Sequence, residues 1–358
     1  MKLLKDQSIE NKIVLVRVDF NVPLAPSEDG KIQEVTSDFR INAALPTLEY
    51  LQAEGAKKIV LISHLGRPDG APKKEFSLEP VAKVLKEAFP DVFFLPETTG
   101  EKVAAAIKGI NKGCPIFLLE NLRFDPREEG NDRAFAEEIV AATGAELFVQ
   151  DGFAVVHRAH ASTAQLPQLL PSCAGLLLEK EIKNLTAVRE NPTQPLAVII
   201  GGAKVADKQP LIDAFAAKAD QILIGGKIAA DGYQPNDAKN LYVAEDFDET
   251  SAGDKLDIGP VATYKMIDLL APAKTVIWNG CLGKVEDPAY DAGTTAIAEY
   301  LGLHPEKTVI ILGGDTVGFV ENLQADHPEL TYTLLSTGGG AALEFLLGQS
   351  LPGLDALN

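Results

Sequence analysis

Short runs of apolar residues, rich in Val, Ile and Leu, recur along the whole chain and alternate with longer stretches of mixed polarity. Runs without polar interruption are typical of strands that are buried on both faces. The stretches between them carry apolar residues at helical spacing, for example at 78–88 and 132–142. This alternation of strand and helix predicts parallel sheets that are covered by helices.

The predicted strands fall into two groups, separated by a segment at 166–173 that carries two prolines. The first group lies at 13–18, 58–62, 92–95, 116–119 and 147–149, and the second at 196–200, 221–224, 241–243, 275–278, 308–312 and 332–335. Two groups predict an α/β protein with two doubly wound halves, each binding ligands at the carboxyl ends of its strands. We expect a helix at 176–190 to bridge the halves and the acidic stretch 229–254 to be mostly loop.

The net charge of −18 argues against binding to nucleic acid or to an anionic membrane surface. No window approaches 18 uncharged apolar residues, so no membrane span is predicted. The three cysteines lack CxxC spacing, which indicates a reduced compartment, and we expect a cytoplasmic monomer. Because this charge repels anions, a site for small anionic substrates needs a local cluster of basic residues.

Basic residues of this kind follow the predicted strands of the first half or lie at turns. They are Arg40, His64 and Arg67 in SHLGRP, Arg123 in ENLRF, and His157 and Arg158 in QDGFAVVHRAHAS. A guanidinium group meets a phosphate or a carboxylate with two parallel hydrogen bonds, so these strand ends predict an anion site. Asp19 and Asn21 in RVDFNVP could form hydrogen bonds with hydroxyl groups of the ligand. Alternatively, the arginines are ordinary surface ion-pair partners. We interpret His160 as a packed or hydrogen-bonded histidine and not as a ligand-binding residue.

Glycine-rich turns follow the strands of the second half, although no GxxxxGKS or GxxxxGKT motif occurs. They are GGAKVADK, with Gly201, Gly202, Lys204 and Lys208; GGDT, from Gly313 to Thr316; and STGGGA, from Ser336 to Ala341. Such turns let backbone amides approach a phosphate at a helix N-terminus. Asp315 fits a Mg²⁺ ligand, and Glu286 could bind ribose hydroxyls. Alternatively, these glycines serve only the tight turns between strand and helix.

The ordered series of motifs resembles the phosphoglycerate kinase family. It comprises RVDFNVP, SHLGRP, LENLRF, HRAHAST, LLEKEI, GGAKVADK, LDIGP, WNG, GGDT, STGGGA, LEFL and LPGLDAL, and it runs in family order from residue 13 to the C-terminus. The resemblance implies two Rossmann-like domains joined by a hinge helix. Residues 1–173 would bind phosphoglycerate, with the tail 345–358 packed back on them, and residues 174–344 would bind the nucleotide.

The resemblance also implies the reaction, the transfer of a phosphoryl group between 1,3-bisphosphoglycerate and ADP to give 3-phosphoglycerate and ATP. It assigns phosphoglycerate binding to Asp19, Asn21, Arg40, His64, Arg67, Arg123 and Arg158. It assigns nucleotide binding to Gly201, Gly202, Lys204, Lys208, Gly225, Gly226, Asn279, Glu286, Gly313, Gly314, Asp315 and Thr316. Catalytic roles fall to Arg40, Lys204, Gly314 and Gly338, with Mg²⁺ at Asp315 as the cofactor.

The second half departs from the family pattern around 227–255, where it is shorter. Lys227 replaces the third glycine after Gly226, and Cys281, Leu282 and Leu312 also differ from the family. The phosphate-binding motifs are kept, whereas the adenine pocket is altered. A non-catalytic binding or scaffold protein is therefore the alternative hypothesis. A Rossmann dehydrogenase is disfavoured because the first βα unit lacks GxGxxG.

Overall fold

The computed structural model describes residues 1–26, 33–111, 113–234 and 240–358. The chain divides into two compact units, the first comprising Met1–Lys180 with Ser350–Asn358 and the second Glu181–Gln349. Among the described residues, no helix combines the length and the apolar character that crossing a membrane requires. The predicted domain bounds and the ligands assigned to each domain stay predictions.

A six-stranded parallel sheet forms the centre of each unit. The first unit contains β1 (Ile13–Arg17), β2 (Leu24–Pro26), β3 (Gln33–Val35), β4 (Lys58–Ile62), β5 (Val92–Leu95), β6 (Ile116–Leu119), β7 (Leu147–Gln150) and β8 (Ser172–Ala174). The second contains β9 (Leu196–Ile200), β10 (Gln221–Ile224), β11 (Leu241–Val243), β12 (Phe247–Glu249), β13 (Lys255–Ile258), β14 (Thr275–Asn279), β15 (Thr308–Leu312) and β16 (Leu334–Leu335). The predicted fold class, α/β with two doubly wound sheets, is confirmed.

The order of the strands places a switch point in each sheet. The first sheet runs β5-β6-β4-β1-β7-β8 and the second β11-β10-β9-β14-β15-β16, while β2-β3 and β12-β13 form small antiparallel pairs. The chain therefore winds outward in opposite directions from β1 and β7 in one sheet, and from β9 and β14 in the other. Crevices at such switch points are where open α/β sheets bind ligands.

Helices connect the strands and cover both faces of the sheets. They are α1 (Phe39–Ala53), α2 (Glu79–Ala88), α3 (Glu101–Gly109), α4 (Pro126–Glu129), α5 (Arg133–Thr143), α6 (Leu166–Leu169), α7 (Leu176–Glu190), α8 (Val205–Phe215), α9 (Gly226–Ala230), α10 (Pro260–Leu270), α11 (Ala292–Gly302), α12 (Gly314–Asp326), α13 (Gly340–Leu346) and α14 (Pro352–Asp355). Within β1, Val14 and Val16 join one hydrophobic cluster whereas Leu15 joins another. The sheet is thus buried on both faces, which explains the continuous apolar runs.

Two parts of the chain differ from the sequence-based expectation. The segment 166–173 contains α6 and the start of β8, which completes the first sheet. The stretch 229–254, predicted as mostly loop around the strand at 241–243, contains that strand as β11 and also β12, which was not predicted and pairs with β13. The missed strands are three or four residues long and either follow a proline or carry acidic residues, so no apolar run marks them. Residues 235–239, in the same predicted loop, lie outside the described residues.

A buried carboxylate fixes the start of α7 within the first unit. Asp151 Oδ1 accepts hydrogen bonds from the backbone N–H groups of Leu177 at 3.0 Å and Leu178 at 3.4 Å, and Thr47 Oγ1 accepts from Leu176 N at 3.1 Å. A Cβ atom at Gly175 would lie 2.1 Å from Asp151 Oδ1, so this approach requires glycine. Burial raises the pKa of Asp151 to about 6. These contacts satisfy helix amides that would otherwise lack acceptors.

We expect Asp151→Asn to become more stable relative to the wild type as the pH rises. Because the pKa of the folded-state carboxyl is raised from 3.8 to about 6, the folded protein binds this proton more tightly than the unfolded chain across that window. The favourable contribution of Asp151 to the free energy of unfolding is thus lost as the pH rises from about 4 to 7. The loss amounts to up to about 3 kcal/mol. Asparagine keeps the acceptor oxygen and does not titrate.

Urea unfolding of both proteins at several pH values measures this difference. The exposed Asp91→Asn serves as the matched control. If the difference in the free energy of unfolding between wild type and Asp151→Asn did not change with pH, the raised pKa of Asp151 would be contradicted.

Candidate functional site

A buried arginine anchors the strand ends of the first unit. Arg17, at the end of β1, is fully buried, and its guanidinium lies 2.9 Å from Ser162 Oγ and 3.2 Å from His64 Nδ1. Glu128 is also fully buried and accepts hydrogen bonds from Ser162 N at 3.0 Å and from Ser162 Oγ at 2.5 Å. Burial lowers the pKa of Arg17 to about 10 and raises the pKa of Glu128. One buried anion therefore accompanies the basic groups.

The predicted basic residues of the first unit lie within electrostatic reach of one another. Burial lowers the pKa of His64 well below its usual value, and the charges of Arg17, Arg123 and Arg40 lower it further. Burial also lowers the pKa of Arg123, and the charges of Arg158 and Arg67 act in the same direction. This cationic cluster, defined by Arg17, Arg40, His64, Arg67, Arg123 and Arg158, therefore carries its charge on the arginines while His64 is neutral near pH 7.

Hydrogen bonds fix the turns that present the cationic cluster. Asn21 Oδ1 accepts from Gly66 N at 2.8 Å, and Arg123 Nη1 donates to Gly66 O at 2.8 Å, so the SHLGRP turn is held from two sides. Asp19 pairs with the Arg40 guanidinium. Arg123 Nε lies 3.0 Å from Glu129 Oε1 in an ion pair whose geometry does not make a directed hydrogen bond. Arg67, in contrast, is exposed.

His160 is buried and lies 3.9 Å from Glu128, in agreement with its interpretation as a packed residue. Burial, with the charges of Arg123 and Arg17, lowers its pKa to about 3. Arg17, Glu128 and Ser162 were not singled out from the sequence. No local pattern identifies them, because an arginine that ends a strand and a glutamate in PREEG both resemble surface residues.

The second unit contains a cavity of about 520 Å³ at the carboxyl ends of β9, β14 and β15. The residues that line it are Gly202, Ala203, Lys204, Asp207, Lys208, Lys227, Lys255, Leu256, Gly280, Cys281, Gly283, Lys284, Val285, Glu286, Gly313, Asp315 and Thr316. Seven of the predicted nucleotide-binding residues are among them: Gly202, Lys204, Lys208, Glu286, Gly313, Asp315 and Thr316.

The other predicted residues of this unit are not in the lining. They are Gly201, Gly225, Gly226, Asn279, Gly314 and Gly338. A Cβ atom at Gly225 would lie 2.7 Å from Leu282 Cδ2, and one at Gly226 would lie 2.7 Å from Cys281 O. Gly338 is buried, and its N–H donates to Ser336 Oγ at 3.1 Å. Several of these glycines thus allow close packing behind the cavity wall.

The turns that follow β9 and β14 contact each other backbone to backbone. Gly201 N donates to Asn279 O at 3.0 Å, and Gly202 N donates to Cys281 O at 2.8 Å. A Cβ atom at Gly201 would lie 2.2 Å from Cys281 O, and Gly280 has a φ of +101°. Lys208 Nζ donates to Asn279 Oδ1 beside these turns, and burial lowers its pKa. The close approach therefore positions one of the two predicted lysines.

Lys204 and Asp315 flank the cavity at two helix starts. Lys204 directly precedes α8, rather than lying within it, and is exposed. Asp315 lies in the first turn of α12, which Gly313 precedes with a φ of +94°. In the part of the chain that the structure describes, no group of three or more His, Cys, Asp or Glu side chains could hold a metal ion.

Two doubly wound sheets, one with a cationic cluster at its strand ends and the other with lysines and a carboxylate around a glycine-lined cavity, define a two-unit α/β phosphotransferase. The family model of phosphoglycerate kinase matches residues 4–238 and 229–349. The chain belongs to the phosphoglycerate kinase family.

Similar proteins extend over the whole chain. A phosphoglycerate kinase of Coprothermobacter proteolyticus is 39% identical over 400 residues, covering 100% of this chain and 98% of that protein. One of Bifidobacterium longum is 40% identical over 413 residues, with 100% of both chains covered. The phosphoglycerate kinase structure from Coxiella burnetii has a TM-score of 0.77 at 31% identity, covering 99% of this chain and 98% of that chain. The structure from Pyrococcus horikoshii has a TM-score of 0.86 at 25% identity, with 100% and 98% covered.

The comparison also shows where the chain is short. The alignment with the Coprothermobacter proteolyticus protein extends over 400 residues, whereas this chain has 358. The two segments matched by the family model overlap at 229–238, so the family pattern is interrupted there. This position lies inside the stretch 227–255, where the sequence analysis expects the shortening.

We expect Gly201→Ala to destabilise the second unit by at least about 2 kcal/mol, because the new Cβ atom would collide with two backbone carbonyl groups. Gly318→Ala is the control, since a Cβ atom there has open space inside α12 and alanine favours a helix by about 1 kcal/mol. Scanning calorimetry compares the two variants. Equal melting temperatures would show that the turns do not need this close approach.

Proposed function

We propose that the protein catalyses reversible phosphoryl transfer between 1,3-bisphosphoglycerate and ADP, giving 3-phosphoglycerate and ATP. The observation that carries this proposal is that the charged residues of both motif sets are retained and cluster within their own unit. Arg40, Arg123 and Arg158 belong to the cationic cluster, and Lys204, Lys208 and Asp315 belong to the cavity. Family membership over the whole chain supports the same reaction.

The cationic cluster suits a ligand that carries a phosphate and a carboxylate. Its arginines keep their charge at neutral pH and offer paired donors to both kinds of anion. We assign phosphoglycerate binding to Arg40, Arg67, Arg123 and Arg158, with neutral His64 as an additional hydrogen-bonding group. Asp19 and Asn21 would contact the ligand hydroxyl. The hydrogen bonds that fix Gly66 and Asn21 keep this arrangement in place before the ligand binds.

The cavity suits the phosphates of the nucleotide. Lys204 and Lys208 supply positive charge, the amides near Gly202 and Gly313 can approach phosphate oxygens, and Glu286 would bind ribose hydroxyls. Mg²⁺ fits here as well, since it is commonly bound by one or two carboxylates together with substrate phosphates, and Asp315 provides one such carboxylate. When bound, Mg²⁺ neutralises charge on the phosphate oxygens.

In the forward reaction, a terminal phosphate oxygen of ADP attacks the acyl phosphorus and the carboxylate of 3-phosphoglycerate leaves. Lys204 and Arg40 would stabilise the charge on the equatorial oxygens of the transferred group, aided by the backbone amide at Gly314. The Gly338 N–H, which the resemblance also assigns to catalysis, already donates to Ser336 Oγ. Because the two substrates are assigned to different units, we propose that a hinge movement brings them together and excludes water. The monomeric state and cytoplasmic location stay predictions.

A coupled assay with ADP, Mg²⁺ and 1,3-bisphosphoglycerate tests the proposed function directly. Turnover well above the uncatalysed background is the expected result. Absence of turnover in a folded sample would reject the proposal and favour a non-catalytic binding protein with the same fold.

We expect Lys204→Ala to lower kcat by at least about 100-fold, as for the loss of one electrostatic stabiliser of the transition state. The exposed Lys218→Ala in the same unit is the matched control and should keep the wild-type rate. Steady-state kinetics measure both variants. A wild-type kcat for Lys204→Ala would refute the catalytic role of this lysine.

We expect Arg40→Ala to weaken phosphoglycerate binding by about 10-fold or more, because it removes a charge-assisted hydrogen bond. Nucleotide affinity should change by less than about 2-fold, since Arg40 is assigned to the other ligand. Titration calorimetry measures both affinities, with Arg133→Ala, from an exposed ion pair, as the control. Loss of nucleotide binding instead would mean that the ligands are assigned to the wrong units.

A further inference from the structure

Three lysines outside the predicted nucleotide-binding set line the cavity of the second unit: Lys227, Lys255 and Lys284. We propose that they form a second anion subsite, and that inorganic triphosphate serves as a phosphoryl acceptor alongside ADP. This inference rests on the proposed function, since it concerns the same cavity and the same transfer. In this arrangement, two phosphates of the chain take the place of the ADP diphosphate, and the third reaches the lysine subsite.

The three lysines come from separate segments that meet at the cavity. Lys227 lies in α9, Lys255 begins β13, and Lys284 lies in the turn that follows β14. The backbone N–H of Lys284 donates to Leu256 O at 2.8 Å, which ties the second and third segments together. The lysines are far apart in the sequence and do not share a helix. The tertiary fold therefore brings them to the same cavity.

The cavity gathers positive charge in a protein that is otherwise strongly acidic. Its lining contains five lysines and three acidic residues, Asp207, Glu286 and Asp315, whereas the whole chain has a net charge of −18. Lys204 and Lys208 account for two of the lysines, as expected for a diphosphate. The additional three positive charges favour a ligand with more negative charge than a nucleoside diphosphate presents.

The three lysines make weak contacts within the protein, so replacing these contacts with contacts to a ligand costs little free energy. Lys227 pairs with Asp231 at 2.8 Å, and Lys284 lies 4.0 Å from Asp287, but both lysine side chains are more than half exposed. Lys255 Nζ lies 4.7 Å from the centre of the Phe247 ring. Exposed contacts of this kind are weak, so a phosphate group can replace or join them.

The lining offers little that would recognise a base. Within the described residues, it contains no aromatic side chain for stacking and no Asn or Gln amide for the edge of a base. Its apolar side chains are small or aliphatic: Ala203, Leu256, Val285 and the Cys281 thiol. Recognition therefore rests mainly on phosphate charge, which inorganic triphosphate also provides.

The chemistry of the transfer is unchanged. A terminal oxygen of triphosphate attacks the acyl phosphorus of 1,3-bisphosphoglycerate, and a new P–O–P bond forms as the acyl P–O bond breaks. The carboxylate of 3-phosphoglycerate leaves with the electron pair, and the inorganic product is tetraphosphate. The attacking oxygen is already ionised, so no base and no redox partner is required.

The test compares ADP, inorganic pyrophosphate and inorganic triphosphate as acceptors, with product formation followed by ³¹P NMR. The triple variant K227Q/K255Q/K284Q removes the subsite, and K183Q/K218Q/K265Q makes the same charge change at exposed positions outside the cavity. We expect the first variant to lower kcat/KM for triphosphate by at least about 10-fold, with changes below about 3-fold for ADP and pyrophosphate. The control variant should change all three by less than about 3-fold.

Calorimetric titration of triphosphate into the full chain, with and without the triple substitution, provides a readout that does not depend on turnover. Turnover with ADP but none with triphosphate would overturn the inference and leave the proposed function intact. Equal losses in the two triple variants would overturn it too, because the effect would then be one of overall charge. Failure with every acceptor, while triphosphate binding still depends on the three lysines, would reject the proposed function and retain the subsite.

Discussion

Like charges can be packed together at the ends of buried strands only if an anion and fixed acceptors offset their repulsion. In the first unit, Glu128 and the Ser162 hydroxyl do this for Arg17 and its neighbours. Removing an ion from water costs several kcal/mol, so this arrangement is sustained by the hydrophobic clusters on both faces of the sheet. The neighbouring turn is fixed as well, by hydrogen bonds of Gly66 with Asn21 and Arg123.

The cavity of the second unit is built in a different way. Its turns approach through glycine backbone contacts, as between Gly201 and Cys281, and among the lysines that line the cavity burial lowers the pKa of Lys208. Lys227 and Lys284 of the same cavity are more than half exposed and make surface ion pairs with Asp231 and Asp287. In the first unit, by contrast, Arg17, His64 and Arg123 are buried.

The sequence was informative where burial imposes a pattern. The central strands are buried on both faces, so their continuous apolar runs revealed the two sheets, and β8 and β12 were missed because they are short and lack such runs. The same topology predicts that charged residues after the strands, such as Arg123 and Asp315, lie at the carboxyl ends of the sheets, whereas Arg17, the last residue of β1, was not singled out. Glu128, Lys255 and Lys284 could not be found, since their roles depend on contacts between distant segments. Gly225 and Gly226 were predicted to bind the nucleotide, but they do not line the cavity, and a Cβ atom at either position would lie 2.7 Å from a neighbouring atom.

The interruption in the family pattern lies outside the strands whose carboxyl ends form the cavity. It falls at 229–238, at the end of the short helix α9, while β9, β10, β14 and β15 keep their parallel registers on either side. The glycine turns that line the cavity depend on those strands, so a shorter chain near the end of α9 leaves the turns in place. A base, in contrast, needs wall residues that lie outside the sheet. Shortening the chain at this point therefore leaves the strands and the lysine-lined cavity in place.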